Sequence, residues 1–195
     1  MSPTSIFYII IGILLFDFIL GQVLDYLNAL HYDDKIPAEL NDVYNETEYF
    51  RSQAYKKENY RFSVITSVIS FLALIAFFYW KGFAWLDEIA RGYSSNEIVV
   101  GLIFFGILFF INDILTTPFS YYQTFVIEEK YGFNKSTKKT FFMDKLKGWA
   151  LALILGGLVL GLIIYFYTLT LDKFWIYTWL FITVFTLVFT LFYST

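Results

Sequence analysis

Five separate blocks of apolar residues occupy most of the sequence, and each is long enough to cross a lipid bilayer. A hydrocarbon core about 30 Å thick requires roughly 20 residues of helix. A lone strand would leave its backbone N–H and C=O groups unpaired in lipid, so each block is predicted to be a helix. The sequence therefore predicts an all-α, polytopic membrane protein. Its five transmembrane helices cover residues of about 6–24, 62–80, 98–115, 149–169 and 174–193.

The composition supports a membrane protein and argues against a nucleic-acid partner. Of the 195 residues, 58% are hydrophobic and 16% are charged, whereas a soluble domain has about 45–50% apolar and about 25% charged residues. The net charge of −3 comes without any basic stretch interleaved with aromatic residues, which is the pattern of nucleic-acid binding. Membrane lipids are therefore the expected surroundings, and no nucleic acid is expected to bind.

Lysine and arginine are distributed unevenly between the loops. Only Lys81, Arg91 and Lys173 lie on one side of the predicted membrane. The first and third connections carry the other basic residues, which are Lys35, Arg51, Lys56, Lys57, Arg61, Lys130, Lys135, Lys138, Lys139, Lys145 and Lys147. Basic residues favour the cytoplasmic side. We therefore predict that the N-terminus lies outside and that both long loops and the C-terminus lie in the cytoplasm.

The chain lacks the residue types of the common hydrolytic sites. It contains a single histidine, His31, no cysteine and no HExxH sequence. A Cys–His pair and a zincin-type zinc site are therefore excluded. We predict no catalytic, metal-binding or cofactor-binding residues in this chain.

Two carboxylates, Asp17 and Asp113, fall inside the predicted crossings. A charged side chain in the middle of a membrane costs about 2.5–3.5 kcal/mol on insertion scales. We therefore expect both to face a water-filled interior rather than lipid. The alternative is that Asp17 is neutral or hydrogen-bonded within the helix bundle and that Asp113 reaches the membrane interface. A small carrier using both acids ranks last, because no repeat and no broken helices are visible.

The connection between the third and fourth crossings contains the polar segment "FVIEEKYGFNKST", residues 125–137. Pro118 is expected to end the third helix, and "YGFN" contains turn-forming residues. Ser136 or Thr137 is then a suitable N-cap for the next helix. On the fourth crossing, Gly157 and Gly161 have the GxxxG spacing that favours close helix packing.

Several stretches of the chain resemble the N-terminal membrane domain of the type I CAAX prenyl endoproteases. They are "PFSYYQTFVIEEKYGFNKST", "FRSQAYKKENYRFS", "FFMDKLK" and "FWIYTWLF", in that family's order. The resemblance implies that the five helices form part of an α-barrel around a water-filled chamber, which a zinc domain closes on the cytoplasmic side. The implied function is to form the chamber wall of a zinc metalloendopeptidase that cleaves prenylated or other membrane-associated proteins.

The resemblance also defines what we expect outside this chain. In the family, HExxH follows the fifth helix, whereas this sequence ends at "LFYST". We therefore expect an isolated or truncated N-terminal domain, without the catalytic zinc domain and without activity of its own. Zinc, a protein or peptide substrate and the C-terminal zinc domain are then expected for a full-length parent. The alternative is a non-enzymatic membrane scaffold or lipid-binding module that retains this domain.

A role for the polar segment follows from the same resemblance. It is either a cytoplasmic loop that docks the zinc domain or positions substrate, or a structural elbow between two helices. The candidate docking residues are Glu128, Glu129, Lys130, Gly132, Asn134 and Lys135. The implied chamber also gives Asp17 and Asp113 an aqueous surface to face.

Overall fold

The computed structural model describes residues 2–32, 35–36 and 45–193, and this part of the chain is almost entirely helical, without strands. The helices belong to two compact units. The first consists of Met1–Gly82 and Thr116–Lys135, and the second of Phe83–Leu115 and Ser136–Thr195.

The first unit begins with two long helices, α1 (Pro3–Ala29) and α2 (Glu46–Tyr79). The hydroxyl of Ser2 caps α1 by accepting the Ser5 N–H at 3.1 Å. The two helices pack through stacked rings of Phe18 and Phe71, whose centroids lie 4.2 Å apart. The predicted crossings 6–24 and 62–80 lie almost wholly within these helices. Helix α2 begins well before the second crossing, and it is one uninterrupted α-helix from Glu46 to Tyr79.

Helix α3 (Gly82–Tyr93) follows directly and was not predicted as an element. Its 12 residues span about 18 Å, too little to cross a bilayer. Leu86 and Ala90, one turn apart, are fully buried, whereas Trp85 and Tyr93 are exposed. This short amphipathic helix was missed because its charged residues interrupt any long apolar block.

Helix α4 (Glu97–Tyr122) contains the third crossing and continues beyond the predicted end at residue 115. The expectation that Pro118 ends this helix is wrong, since Pro118 lies inside it. Proline has a φ value suited to helices and removes only one backbone donor. In membrane helices this loss is tolerated, and the chain passes through Pro118 without a break.

The last helical stretch begins at Lys138 and contains the fourth and fifth crossings. It consists of α6 (Lys138–Leu151), a π-helical turn (Ala152–Gly156), α7 (Gly157–Thr170), a 3-10 turn (Leu171–Lys173) and α8 (Phe174–Tyr193). The hydroxyl of Thr137 accepts the Thr140 N–H at 3.1 Å, which confirms Thr137 as the N-cap of α6.

A turn at Leu171 separates the two final crossings. The φ angle of Leu171, 43°, lies in the left-handed region. The turn joins α7 to α8, and these two helices pack against each other. The rings of Phe166 and Phe181 are 5.9 Å apart. All five predicted apolar blocks are therefore helical.

Packing in this bundle leaves most apolar side chains exposed. Among the described residues, the buried hydrophobic residues are only Leu86, Ala90, Val100 and Ile127. Long apolar helices without a buried core are stable only where lipid covers their surfaces. The fold is therefore that of an integral membrane protein.

The glycines of α7 pack less closely than their GxxxG spacing predicts. A Cβ added at Gly161 would meet Ile98 Cγ2 at 3.9 Å, and one at Gly157 would meet no atom within 4 Å. The tight approach between α4 and α7 occurs instead at Gly101, where an added Cβ would collide with the Ile164 side chain. Close packing at Gly157 was therefore an incorrect prediction.

Candidate functional site

The predicted polar loop after the third crossing is helical for most of its length. A π-helical segment (Gln123–Glu128) and a short helix α5 (Glu129–Tyr131) continue α4 without interruption. The loop assignment for Glu128, Glu129 and Lys130 is thus wrong. Glutamate, lysine and glutamine are good helix formers, so charge alone does not end a helix where it leaves the membrane.

Gly132 ends this helical run. Its φ of 76° lies in the left-handed region, which glycine adopts without steric cost. The Glu128 carbonyl then accepts the N–H groups of Phe133 at 2.9 Å and Asn134 at 3.3 Å. These bonds satisfy a carbonyl at the helix end, and they confirm the predicted turn at "YGFN".

Polar side chains tie this turn to α2. The Glu58 carboxylate accepts hydrogen bonds from Lys130 Nζ at 2.6 Å and from the Tyr131 hydroxyl at 2.7 Å. Arg51 Nη2 donates to the Tyr131 carbonyl. We call residues 123–134, together with residues 51–59 of α2, the polar elbow. Its polar contacts join positions as far apart as 80 residues in the sequence.

Apolar contacts reinforce the polar elbow. The ring of Tyr55 lies 5.2 Å from that of Tyr131 and 4.7 Å from that of Phe133. Ile127, in the π-helical segment, is 1% exposed, and Gln123 donates a hydrogen bond to Asn59. Contacts with α2 are therefore found near both ends of residues 123–134, at Gln123 and at Lys130, Tyr131 and Phe133.

The six candidate docking residues have different surroundings within the elbow. Lys130 and Gly132 take part in the contacts described above. Glu128 is half-buried, and Asn134 Nδ2 donates to Glu129 Oε2 at 2.6 Å. Lys135, beyond the turn, is exposed. Docking by these residues remains a prediction.

Sequence reasoning did not identify the α2 side of the elbow as part of the site. Arg51, Tyr55 and Glu58 lie in "FRSQAYKKENYRFS", which was identified only by its resemblance to a family and by its basic residues. Nothing in the spacing of these residues indicates a contact with a segment more than 70 positions away. Tyr131 lies within the polar segment but was not among the candidate docking residues.

The two membrane carboxylates have different surroundings. Asp113 accepts hydrogen bonds from Lys145 Nζ at 2.8 Å and from Trp149 Nε1 at 3.0 Å, which joins α4 to α6. The Asp113 and Lys145 side chains are only 21% and 19% exposed. Asp17 is exposed and lies next to Phe18 on α1. That either acid faces a chamber remains a prediction.

The described residues do not provide a zinc site. Within residues 2–32, 35–36 and 45–193, no group of three or more His, Cys, Asp or Glu side chains could hold a metal ion. Zinc in proteases requires three protein ligands that leave one position open. This part of the chain therefore does not fit a catalytic zinc ion.

Long apolar helices joined through a polar elbow place the chain among the polytopic all-α membrane proteins. The chain belongs to the CAAX prenyl protease N-terminal family. A sequence model of that family, described as having five membrane helices, matches residues 25–195.

Relatives with assigned names agree with this membership. The chain is 34% identical over 155 residues to the probable CAAX prenyl protease 1 of Schizosaccharomyces pombe, covering 72% of this chain and 32% of the relative. It is 28% identical over 152 residues to CAAX prenyl protease 1 of Saccharomyces cerevisiae, covering 73% and 33%. The chain therefore spans about a third of the length of these relatives.

A crystal structure of S. mikatae Ste24p has the same fold. The match covers 96% of this chain and 45% of the Ste24p chain, with a TM-score of 0.87 and 25% sequence identity. A TM-score this high over nearly the whole chain shows that the two chains share a fold.

Proposed function

We propose that this chain forms the membrane wall of a chamber in which a zinc metalloendopeptidase cleaves prenylated or other membrane-associated proteins. The observation that carries the proposal is the shared fold with Ste24p over nearly the whole chain. In this proposal, zinc and its ligands belong to the part of the relatives that the chain does not match. No observation favours the alternative of a non-enzymatic scaffold.

The polar elbow has two parts in this proposal. Glu58, Lys130 and Tyr131 hold the turn in place through their mutual hydrogen bonds. Glu129 and Lys135 are exposed at the same turn, where they contact the zinc domain or the substrate. A π-helical segment such as Gln123–Glu128 is also frequent at functional sites.

The orientation in the membrane is part of the same proposal. The basic residues in the first and third connections support an orientation with the elbow in the cytoplasm and the N-terminus outside. Reporters fused at Lys56 and Lys139 are expected to report the cytoplasm, and a reporter at Arg91 the outside. Finding the Lys139 and Arg91 reporters on the same side of the membrane would contradict this orientation.

A chimera tests the proposed function directly. Residues 25–195 would replace the matching part of the Saccharomyces cerevisiae CAAX prenyl protease 1, and zinc-dependent cleavage of a prenylated peptide would be measured. We expect cleavage above the level of a chimera whose HExxH glutamate is changed to glutamine. A folded, membrane-inserted chimera that holds zinc but does not cleave would overturn the proposal and support the scaffold alternative.

Variants in the same chimera distinguish docking from a structural elbow. Lys135→Glu together with Glu129→Gln is expected to raise the KM or lower kcat at an unchanged melting temperature. Lys139→Glu, an exposed charge change in α6, is the matched control. It is expected to leave the kinetic constants and the melting temperature unchanged. Loss of melting temperature in proportion to activity would instead assign the exposed residues a structural role.

A further inference from the structure

Three charged residues form a compact cluster where α3 meets the start of α4. Arg91 Nε donates to both carboxylate oxygens of Asp87, at 3.2 and 3.0 Å. Arg91 Nη1 and Nη2 donate to the two oxygens of Glu97, at 2.9 and 3.2 Å. These bonds to Glu97 and Asp87 raise the pKa of Arg91 above its usual value. We call this cluster the Arg91 clamp.

The Arg91 clamp retains unused hydrogen-bonding capacity. A guanidinium group has five N–H donors, and a carboxylate oxygen has more than one acceptor position. The contacts above engage Nε and one hydrogen on each Nη, so two N–H donors remain. All three side chains are about half exposed. The clamp can therefore bind a phosphate oxygen and an ammonium group, and its net charge of about −1 disfavours an anion without an accompanying cation.

An apolar groove of about 470 Å³ extends from the clamp along α4 and α7. Sites for small ligands typically enclose about 300–1,000 Å³, with mostly apolar walls and a few polar groups. The groove fits that description, because the clamp lies at one end and the remaining wall is largely apolar. Its walls include Val100, Phe104, Phe105, Ile164 and Tyr167.

The position of the groove along the helices matches the depth profile of a lipid. Glu97 is the first residue of α4, and Thr168, which also lines the groove, is close to the end of α7. Phe104 lies about 10 Å further along α4. The polar end of the groove therefore lies at a membrane face, and its apolar end lies at the depth of the hydrocarbon.

We propose that this groove binds a phosphatidylethanolamine-type phospholipid. One acyl chain packs against Phe104, Phe105 and Ile164, the phosphate accepts hydrogen bonds from Arg91, and the primary ammonium donates to Asp87 and Glu97. A phosphatidylcholine headgroup lacks N–H donors for the two carboxylates, and a phosphatidylglycerol headgroup lacks the cation. The inference is independent of proteolysis, because it uses only the clamp and the groove.

Native mass spectrometry of the delipidated 195-residue chain in detergent tests this proposal. Phosphatidylethanolamine, phosphatidylcholine and phosphatidylglycerol with identical acyl chains are titrated separately. We expect saturable binding of one phosphatidylethanolamine, about fivefold tighter than either of the other two lipids. Water-soluble phosphoethanolamine is expected not to compete, because it lacks the acyl chain. Equal, non-saturating binding of all three lipids would overturn the proposal, as would full competition by phosphoethanolamine.

A variant pair locates the binding at the clamp. Asp87→Asn combined with Glu97→Gln is expected to abolish the preference for phosphatidylethanolamine over phosphatidylcholine. Asp144→Asn combined with Lys147→Gln removes another exposed ion pair and is expected to keep the preference. Helix content and melting temperature establish that each variant is folded. If the folded clamp variant keeps the preference for phosphatidylethanolamine, the assignment of the binding site to the clamp is overturned. If that variant does not fold, the comparison of the three headgroups on the unmodified chain decides the proposal.

Discussion

The polar elbow and the Arg91 clamp are both built from hydrogen-bonded ion pairs, but they connect different parts of the chain. Lys130 and Glu58 are 72 positions apart, so their contact joins α2 to the end of the third crossing. Arg91 contacts residues only 4 and 6 positions away. The Lys130–Glu58 contact therefore requires the tertiary fold. The contacts of Arg91 require only α3 and the short connection to the start of α4.

Exposure separates the acids of the two regions but not their cations. The Glu58 side chain is 29% exposed and that of Glu97 is 56% exposed, whereas Lys130 and Arg91 are 58% and 49% exposed. Exposed ion pairs contribute little to stability because water screens them and their long side chains lose entropy. We therefore expect the elbow to contribute to stability and the clamp to be available for a ligand.

Asp113 provides the largest expected effect and extends the comparison to a more buried long-range pair. Asp113→Ala removes the partner of the half-buried Lys145 ammonium and should lower the free energy of unfolding by about 2 kcal/mol. Reversible denaturation with sodium dodecyl sulfate in mixed micelles would measure this change. Asp144→Ala, in the exposed pair with Lys147, is the control, and an equal loss in both variants would show that burial does not set the effect.

Gly132→Ala should have the next largest effect. The left-handed backbone at this position is unfavourable for alanine by about 1–2 kcal/mol. The matched control is Gly92→Ala, because Gly92 lies in α3 with no neighbouring atom within 4 Å of an added Cβ. Denaturation should show destabilisation only for Gly132→Ala, and a stable Gly132→Ala variant would mean that the turn rearranges.

Glu58→Ala tests the long-range contact of the elbow itself. It removes the acceptor of two hydrogen bonds and should lower the free energy of unfolding by about 1 kcal/mol, because the partners are partly solvated. Lys56→Ala, an exposed change two residues earlier, should have little effect. If the two variants unfold alike, the elbow does not contribute more than a solvated surface residue.

Arg91→Gln should have the smallest effect on stability. Its partners are exposed neighbours in the sequence, so the melting temperature should not change measurably. Phosphatidylethanolamine binding measured on the same sample should weaken, because the lipid phosphate loses its donor in the proposed site. A loss of stability as large as that of Glu58→Ala would remove the distinction between the two regions.

Several elements could be predicted because their signals are local. The apolar blocks predict helices, Thr137 predicts a cap and Gly132 predicts a turn. Errors arose where a local signal was given too much weight. Pro118 does not end α4, and the acids and lysines after it continue a helix, because a membrane helix can extend past both features when its backbone remains hydrogen-bonded.

The choice of partners could not be predicted in the same way. Glu58 is one of many polar residues in α2, and Asp113 was identified only as a costly charge. Their contacts with Lys130 and Lys145 depend on which helices become neighbours and how each is rotated about its axis. The sequence spacing within a single helix does not contain that information.

Insertion into a membrane follows from the sequence, because the transfer of an apolar block into lipid depends on that block alone. The fold class and the number of crossings follow as well, because each apolar block enters the membrane as a separate helix. The elbow, the Asp113–Lys145 pair and the groove beside Arg91 arise only when distant helices pack, because each needs side chains from separate segments at distances of a few ångströms.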